Sequence, residues 1–162
     1  MERLGRSILD FFGAVLRVEP DELSYINENG HNVFTSQYYL NRGTCCKSNC
    51  LHCPYGTTLK NFGLQFKSID HESLALAVEI VGDPNNTDQQ SLASDLLSNA
   101  FGGSKKKTVL DSNTRDNFRF VLLKDFICGV VEISSLGVKE LYLRKHFRNQ
   151  GLSRDVVSSY FS

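Results

Sequence analysis

The sequence lacks any apolar run approaching the roughly 18 residues that a membrane span requires. Its apolar N-terminal stretch is broken by Asp10 and has no small-residue cleavage site after the basic start, so it does not read as a secretion signal. Glu2 and Asp10 also argue against a mitochondrial presequence, which would be poor in acids. A cytoplasmic location is the resulting expectation. There is no internal repeat and no extended low-complexity segment, and prolines number only three, which excludes solenoid and linker-like architectures. Net charge is absent too, at a formal zero. An acidic excess before Lys105 is matched by an equal basic excess from Lys105 onward, so the C-terminal third is the part expected to attract an anion.

What the chain does have is cysteine. Of five, Cys45, Cys46, Cys50 and Cys53 fall within nine residues. In a secreted protein an odd count would leave a stray thiol, whereas four crowded thiols in an intracellular one indicate metal binding. A Cys-x-x-Cys pair lets two sulfurs face one ion, and four soft thiolates suit zinc or an iron-sulfur cluster, not magnesium or calcium. Neighbouring Cys45 and Cys46 cannot always point at the same ion. His52 is the alternative fourth ligand, or a hydrogen-bonding support for the ligands. Reduced thiols packed in a small core, or a redox pair, are the competing readings. Cys128 lies in the apolar run Phe126-Ile127-Cys128-Gly129-Val130-Val131 and is expected in the core.

Periodicity predicts an amphipathic helix over 4–18 with Leu4, Ile8, Phe11, Phe12, Val15 and Leu16 on one face. A hairpin is expected about Asn29-Gly30, followed by a short helical turn capped by Thr35 or Ser36. Beyond the cysteines come a strand over 63–69, a helix over 71–81, a second helix over 88–101, and strands over 108–110, 118–123, 127–133 and 138–143. The third and fourth of these five strands are joined as a hairpin by Lys124-Asp125. A last helix is expected over 153–161. Lys105-Lys106-Lys107 reads as a solvated turn. The fold class is therefore α/β, with a small Cys-rich, metal-stapled module over 1–63 and a mixed sheet with helices over 64–162. This length allows two compact units at most.

Tyr25-Ile26-Asn27-Glu28-Asn29-Gly30, Val33-Phe34-Thr35, Tyr39-Leu40, Arg42-Gly43 and Cys45-Cys46 through Cys50-Leu51-His52-Cys53-Pro54-Tyr55-Gly56 together resemble a short domain family of unknown function over about residues 23–63. That resemblance implies a shared fold and a metal site, with no activity attached. The oxidoreductase-like domain family has a similar double cysteine but different flanks. Cys46-x-x-x-Cys50-x-x-Cys53 is also similar to the radical S-adenosylmethionine cluster motif. The residues after Cys53 do not alternate strand and helix as the barrel covering such a cluster would.

Farther on, Val138 to Arg154, with Arg148-x-x-Gly151-x-Ser153 after a strand and before a helix, resembles the pyrophosphate-binding segment of the Gcn5-related N-acetyltransferase (GNAT) family. The order before that segment, strand, two helices, three strands, is similar to the first half of that fold, so the likeness spans about 64–162. The resemblance implies acetyl-CoA as cofactor, with Arg148, Gln150, Gly151 and Ser153 around its phosphates at a helix N-terminus, and Glu140 or Glu132 as candidate bases. The sequence ends at Ser162 inside the helix after the turn, short of the family's later elements, so the expectation is a cut-down relative or one completed by a protein partner. The same basic residues, Lys139, Arg144, Lys145, Arg148 and Arg154, interleaved with Tyr142 and Phe147, support a third reading as a nucleic-acid-binding module. Metal binding is the leading functional expectation and acyl-CoA-dependent N-acyl transfer the enzymatic alternative.

Overall fold

A computed structural model describes residues 23–27, 29–86, 109–148 and 150–161. The helices expected over 4–18 and 88–101 and the lysine run lie outside the described residues. Ser24–Ile26 (β1) and Asn32–Phe34 (β2) pair antiparallel, Tyr25 opposite Val33. The Asn27 side-chain oxygen accepts from the backbone N–H groups of Asn29 and His31, and Gly30 takes the left-handed conformation that closes the turn. Ser36–Arg42 (α1) follows and ends at a left-handed Gly43, whose N–H bonds Leu40 O. After the cysteines comes Thr57–Phe62 (α2), a helix the sequence reading does not contain. It is a turn and a half long and lacks the apolar periodicity that announces longer helices.

Gln65–Ser68 (β3) leads to Leu74–Gly82 (α3). This helix starts three residues later than expected because Asp70 and Ser73 close a polar turn first: the Asp70 carboxylate accepts from Ser73 N–H and from its hydroxyl. Val109 and Leu110 form no strand. The Asp111 carboxylate accepts from the N–H groups of Asn113 and Thr114, and the Thr114 hydroxyl donates to Val109 O, so loop chemistry takes the backbone there.

Phe118–Leu123 (β4), Phe126–Ser134 (β5) and Gly137–Leu143 (β6) complete a four-stranded sheet in the order β3-β4-β5-β6. The expected hairpin at Lys124-Asp125 forms, with both residues at positive φ, the geometry a two-residue turn needs to match strand twist. Among the described residues every pairing is antiparallel, so the α and β content is mixed as expected but the sheet itself is not. Arg154–Ser158 (α4) closes the described chain. Among the described residues no helix is long and apolar enough to cross a membrane.

Both faces of the sheet are covered. One side of β4, β5 and β6, with Phe118, Phe120, Val130 and Tyr142, packs under Ala77, Ile80 and Val81 of α3. The other side, with Val121, Leu123, Cys128, Val131, Leu141 and Leu143, is covered by Phe147, Leu152 and Val157, with Leu51 and Leu59 from the cysteine-bearing segment against it. Fully burying a core side chain contributes about 2 kcal/mol; Leu51 and Leu59 are partly buried against this core and contribute less each. Gly129 is obligatory: a Cβ there would lie 2.0 Å from Tyr142 O on the neighbouring strand. Cys128 is wholly buried, and burial pushes its thiol up to about 12, which makes it the inert core residue expected.

Candidate metal centre

None of the five cysteines is in a disulfide. Between α1 and α2 the loop turns tightly because Lys47 and Asn49 adopt left-handed backbone conformations. It is tied down at several points. Thr58 donates its hydroxyl to Cys50 O at 2.7 Å, Asn61 donates to the Asn49 side chain at 2.7 Å, and Lys124, from the turn after β4, donates to Asn49 O at 2.9 Å.

This folding sorts the four thiols into two facing pairs. Cys45 Sγ lies 3.8 Å from Cys53 Sγ, and Cys46 Sγ lies 3.1 Å from Cys50 Sγ. Adjacent Cys45 and Cys46 thus turn toward different partners. A zinc ion with Zn–S bonds of about 2.3 Å in a tetrahedron sets its sulfurs about 3.8 Å apart. The Cys45–Cys53 separation equals that edge, and the Cys46–Cys50 pair is tighter than it. Among the described residues no group of three or more His, Cys, Asp and Glu side chains is gathered as a ready ligand set, so enclosing one ion requires the two pairs to close on each other.

The thiols differ in acidity for local reasons. Cys46 is lowered to about 7, chiefly by its contact with the Cys50 thiol and then by Ser48 N–H. Cys45 is lowered first by the Thr57 hydroxyl at 3.1 Å and then by Lys47 N–H at 3.4 Å. Cys50 is raised, mainly by burial. Hydrogen bonds to sulfur stabilise thiolate, the form that binds metal and reacts.

His52 has a different post from a ligand's. Its ring is fully buried, and both nitrogens are engaged away from the thiols. Gln150 Nε2 donates to Nδ1 at 2.6 Å and to His146 O at 2.8 Å, while Nε2 meets the Tyr25 hydroxyl at 2.7 Å. The His146 carbonyl assigns the Gln150 amide orientation, since an oxygen turned toward it would be repelled. Nδ1 is then the acceptor, and Nε2–H donates to Tyr25. Gln150 Oε1 is left buried without a partner. Burial, the largest cause, holds His52 at about 4, so the ring is neutral at physiological pH. Tyr25 and His146 stack with centroids 4.0 Å apart. Tyr25 belongs to the segment that carries the family resemblance, but its contacts with His52 and His146 are made across long stretches of chain and leave no local signal.

The candidate phosphate residues have internal partners. Arg148 donates to Asn86 Oδ1 at 2.9 Å and to Leu143 O at 3.4 Å, and Gln150 holds His52. Ser153 caps α4 by accepting from Val156 N–H. Gly151 is exposed at φ 77. Glu132 is buried and paired with Lys139 at 2.6 Å. Glu140, opposite it across β5 and β6, keeps one buried oxygen without a partner. Tyr142 and Phe147 are core residues, so neither stands on an exposed surface along which a nucleic-acid strand could stack its bases.

Residues 16–59 match a family of unknown function (DUF5522), which agrees with the resemblance over about 23–63. No curated protein and no solved structure matches the chain. None of these findings supports the acetyltransferase resemblance of the C-terminal region.

Proposed function

We propose that Cys45, Cys46, Cys50 and Cys53 take one zinc ion or one iron-sulfur cluster, and that this site fastens the segment from β1 to α2 onto the sheet. The observation that carries the reading is the facing of four thiols in two pairs, at 3.8 and 3.1 Å, within nine residues of one loop. Four thiolates are a closed, soft donor set, with no position left for a substrate, and such sites contribute folding energy directly. The loop through Leu51 and the helix after it through Leu59 already rest on the core, so a bound metal would stiffen a lid on that core. Acyl transfer and nucleic-acid binding are not carried forward, because Arg148, Gln150 and Ser153 spend their polar groups on internal partners.

The deciding experiment is elemental analysis and an ultraviolet-visible spectrum of protein purified without oxygen, beside the Cys50→Ser, Cys53→Ser double variant. Stoichiometric zinc without colour, absent from the variant, supports a folding staple. Iron with sulfide and a brown absorbance supports a cluster. Protein that binds neither metal, even after anaerobic reconstitution, overturns the reading. A second reading rests on the 3.1 Å Cys46–Cys50 contact and the lowered Cys46: a dithiol that peroxide oxidises to a disulfide, releasing water. Mass spectrometry that finds a Cys46–Cys50 disulfide in metal-free, peroxide-treated protein would favour it.

A further inference from the structure

A cavity of about 370 Å³ opens where the hairpin, α3, the β4–β5 turn and the end of β6 meet. None of its lining residues is a cysteine, so its ligand chemistry is independent of the metal reading. Its volume lies at the small end of the range for small-molecule pockets. The walls are largely apolar, lined by Leu76, Ile127 and Phe147 and by Phe126, which is 42% exposed. Tyr25 and His146, stacked on each other, add a rigid aromatic side.

Into this apolar surround the fold brings one full positive charge, Arg144. Among the described residues its guanidinium makes only a 3.5 Å contact with Ile127 O and no ion pair. Five donors in a planar fork match a carboxylate's two oxygens, and at a half-buried position the attraction is less screened than on an open surface. Asn27, also in the lining, uses its side-chain oxygen on the hairpin turn, which leaves its amide N–H groups as further donors. Asp125 adds one negative charge to the lining and disfavours ligands of higher negative charge.

We propose that this cavity binds a small organic carboxylate, its anionic head on Arg144 and its apolar body between Leu76, Ile127 and Phe147. The Asp125 carboxylate in the lining disfavours a second negative charge on the ligand, and a neutral ligand would leave the guanidinium's charge without a counter-charge.

The test is an amide-resolved NMR titration of the full chain with benzoate, with benzamide and phenyl phosphate run in parallel. Benzoate is expected to shift the amides of Tyr25, Asn27, Phe126 and Ile127 with Kd of about 1 mM or tighter, and benzamide to bind at least about tenfold more weakly. Arg144→Gln should weaken benzoate about tenfold, and Leu76→Trp should abolish binding by filling the cavity. The two variants act on different elements, so one that fails to fold leaves the other to decide. Absence of benzoate shifts, benzamide binding as strong as benzoate, or benzoate affinity unchanged in either variant would overturn the proposal. Stronger binding of phenyl phosphate would overturn the carboxylate assignment and make the site one for organic phosphates.

Discussion

The cysteine loop and the four-stranded sheet are held by different physics. The sheet buries apolar side chains on both faces, and its stability is the sum of many contacts, each replaceable within limits of volume. The loop from Gly43 to Gly56 buries little beyond Leu51, His52 and Cys53. It is fixed by single hydrogen bonds to backbone carbonyls and by one histidine reaching across the molecule. Such a segment has few parallel supports, so a cross-link there, by metal or disulfide, has more effect than it would in the sheet.

That comparison can be broken at named positions. The largest effect is expected from Gly129→Ala, because the added methyl meets the Tyr142 carbonyl at 2.0 Å and the strands must separate. A loss of about 4 kcal/mol or more by urea unfolding is expected, near the top of the range for single changes. Gly43→Ala, strained but in open space, should cost only about 1 kcal/mol. Equal losses would contradict the view that the sheet alone is packed to its limit.

Next comes pH. Burial raises the folded Cys128 thiol to about 12 from 9.0, so between those values the unfolded chain has lost a proton that the folded chain keeps. Stability contributed by this group is fully present below about pH 9 and is lost as pH rises toward 12, up to about 4 kcal/mol. Cys128→Ala should flatten that part of the curve. In metal-free protein at pH 8, iodoacetamide should label Cys46 while leaving Cys128 unlabelled until the chain unfolds; labelling of both at similar rates would contradict the burial argument.

His52→Ala should cost about 3 kcal/mol, since it strands the Tyr25 hydroxyl and the Gln150 amide and leaves a hole. A double-mutant cycle with Gln150→Ala should return a coupling of about 1 kcal/mol or more. Additive losses would mean that the loop and the C-terminal turn are not joined through the ring. The smallest effect is expected from Lys124→Met, which removes the bond to Asn49 O and the ammonium 5.2 Å from the Phe62 ring centre. About 1 kcal/mol should be lost, and hydrogen exchange should quicken in the loop before it does in β4.

Much of the sheet was legible in advance because its signals are local. Phe118 to Leu123 alternates between the two faces, and Lys124-Asp125 marks the turn between two apolar runs. The shortfalls are local too. The Asp70–Ser73 and Asp111–Thr114 turns displaced a predicted helix start and a predicted strand, since side-chain acceptors competed for the backbone. The cysteines were legible as a set by their spacing. Their division into Cys45–Cys53 and Cys46–Cys50 was not, because it depends on the left-handed turns at Lys47 and Asn49.

By itself, then, the sequence determined where the thiols, turns and apolar strands lie, because spacing and periodicity are properties of neighbouring residues. Only the tertiary structure decided what His52, Gln150 and Arg144 do. His52, read as a possible ligand, became a buried bridge. Gln150, read as a phosphate contact, became its partner, 98 positions away in the chain. Arg144, one of five basic residues read together as a nucleic-acid surface, became the full positive charge in the lining of a largely apolar hollow. A polar side chain's role follows from its burial and its partner, and both are supplied by segments far off along the chain.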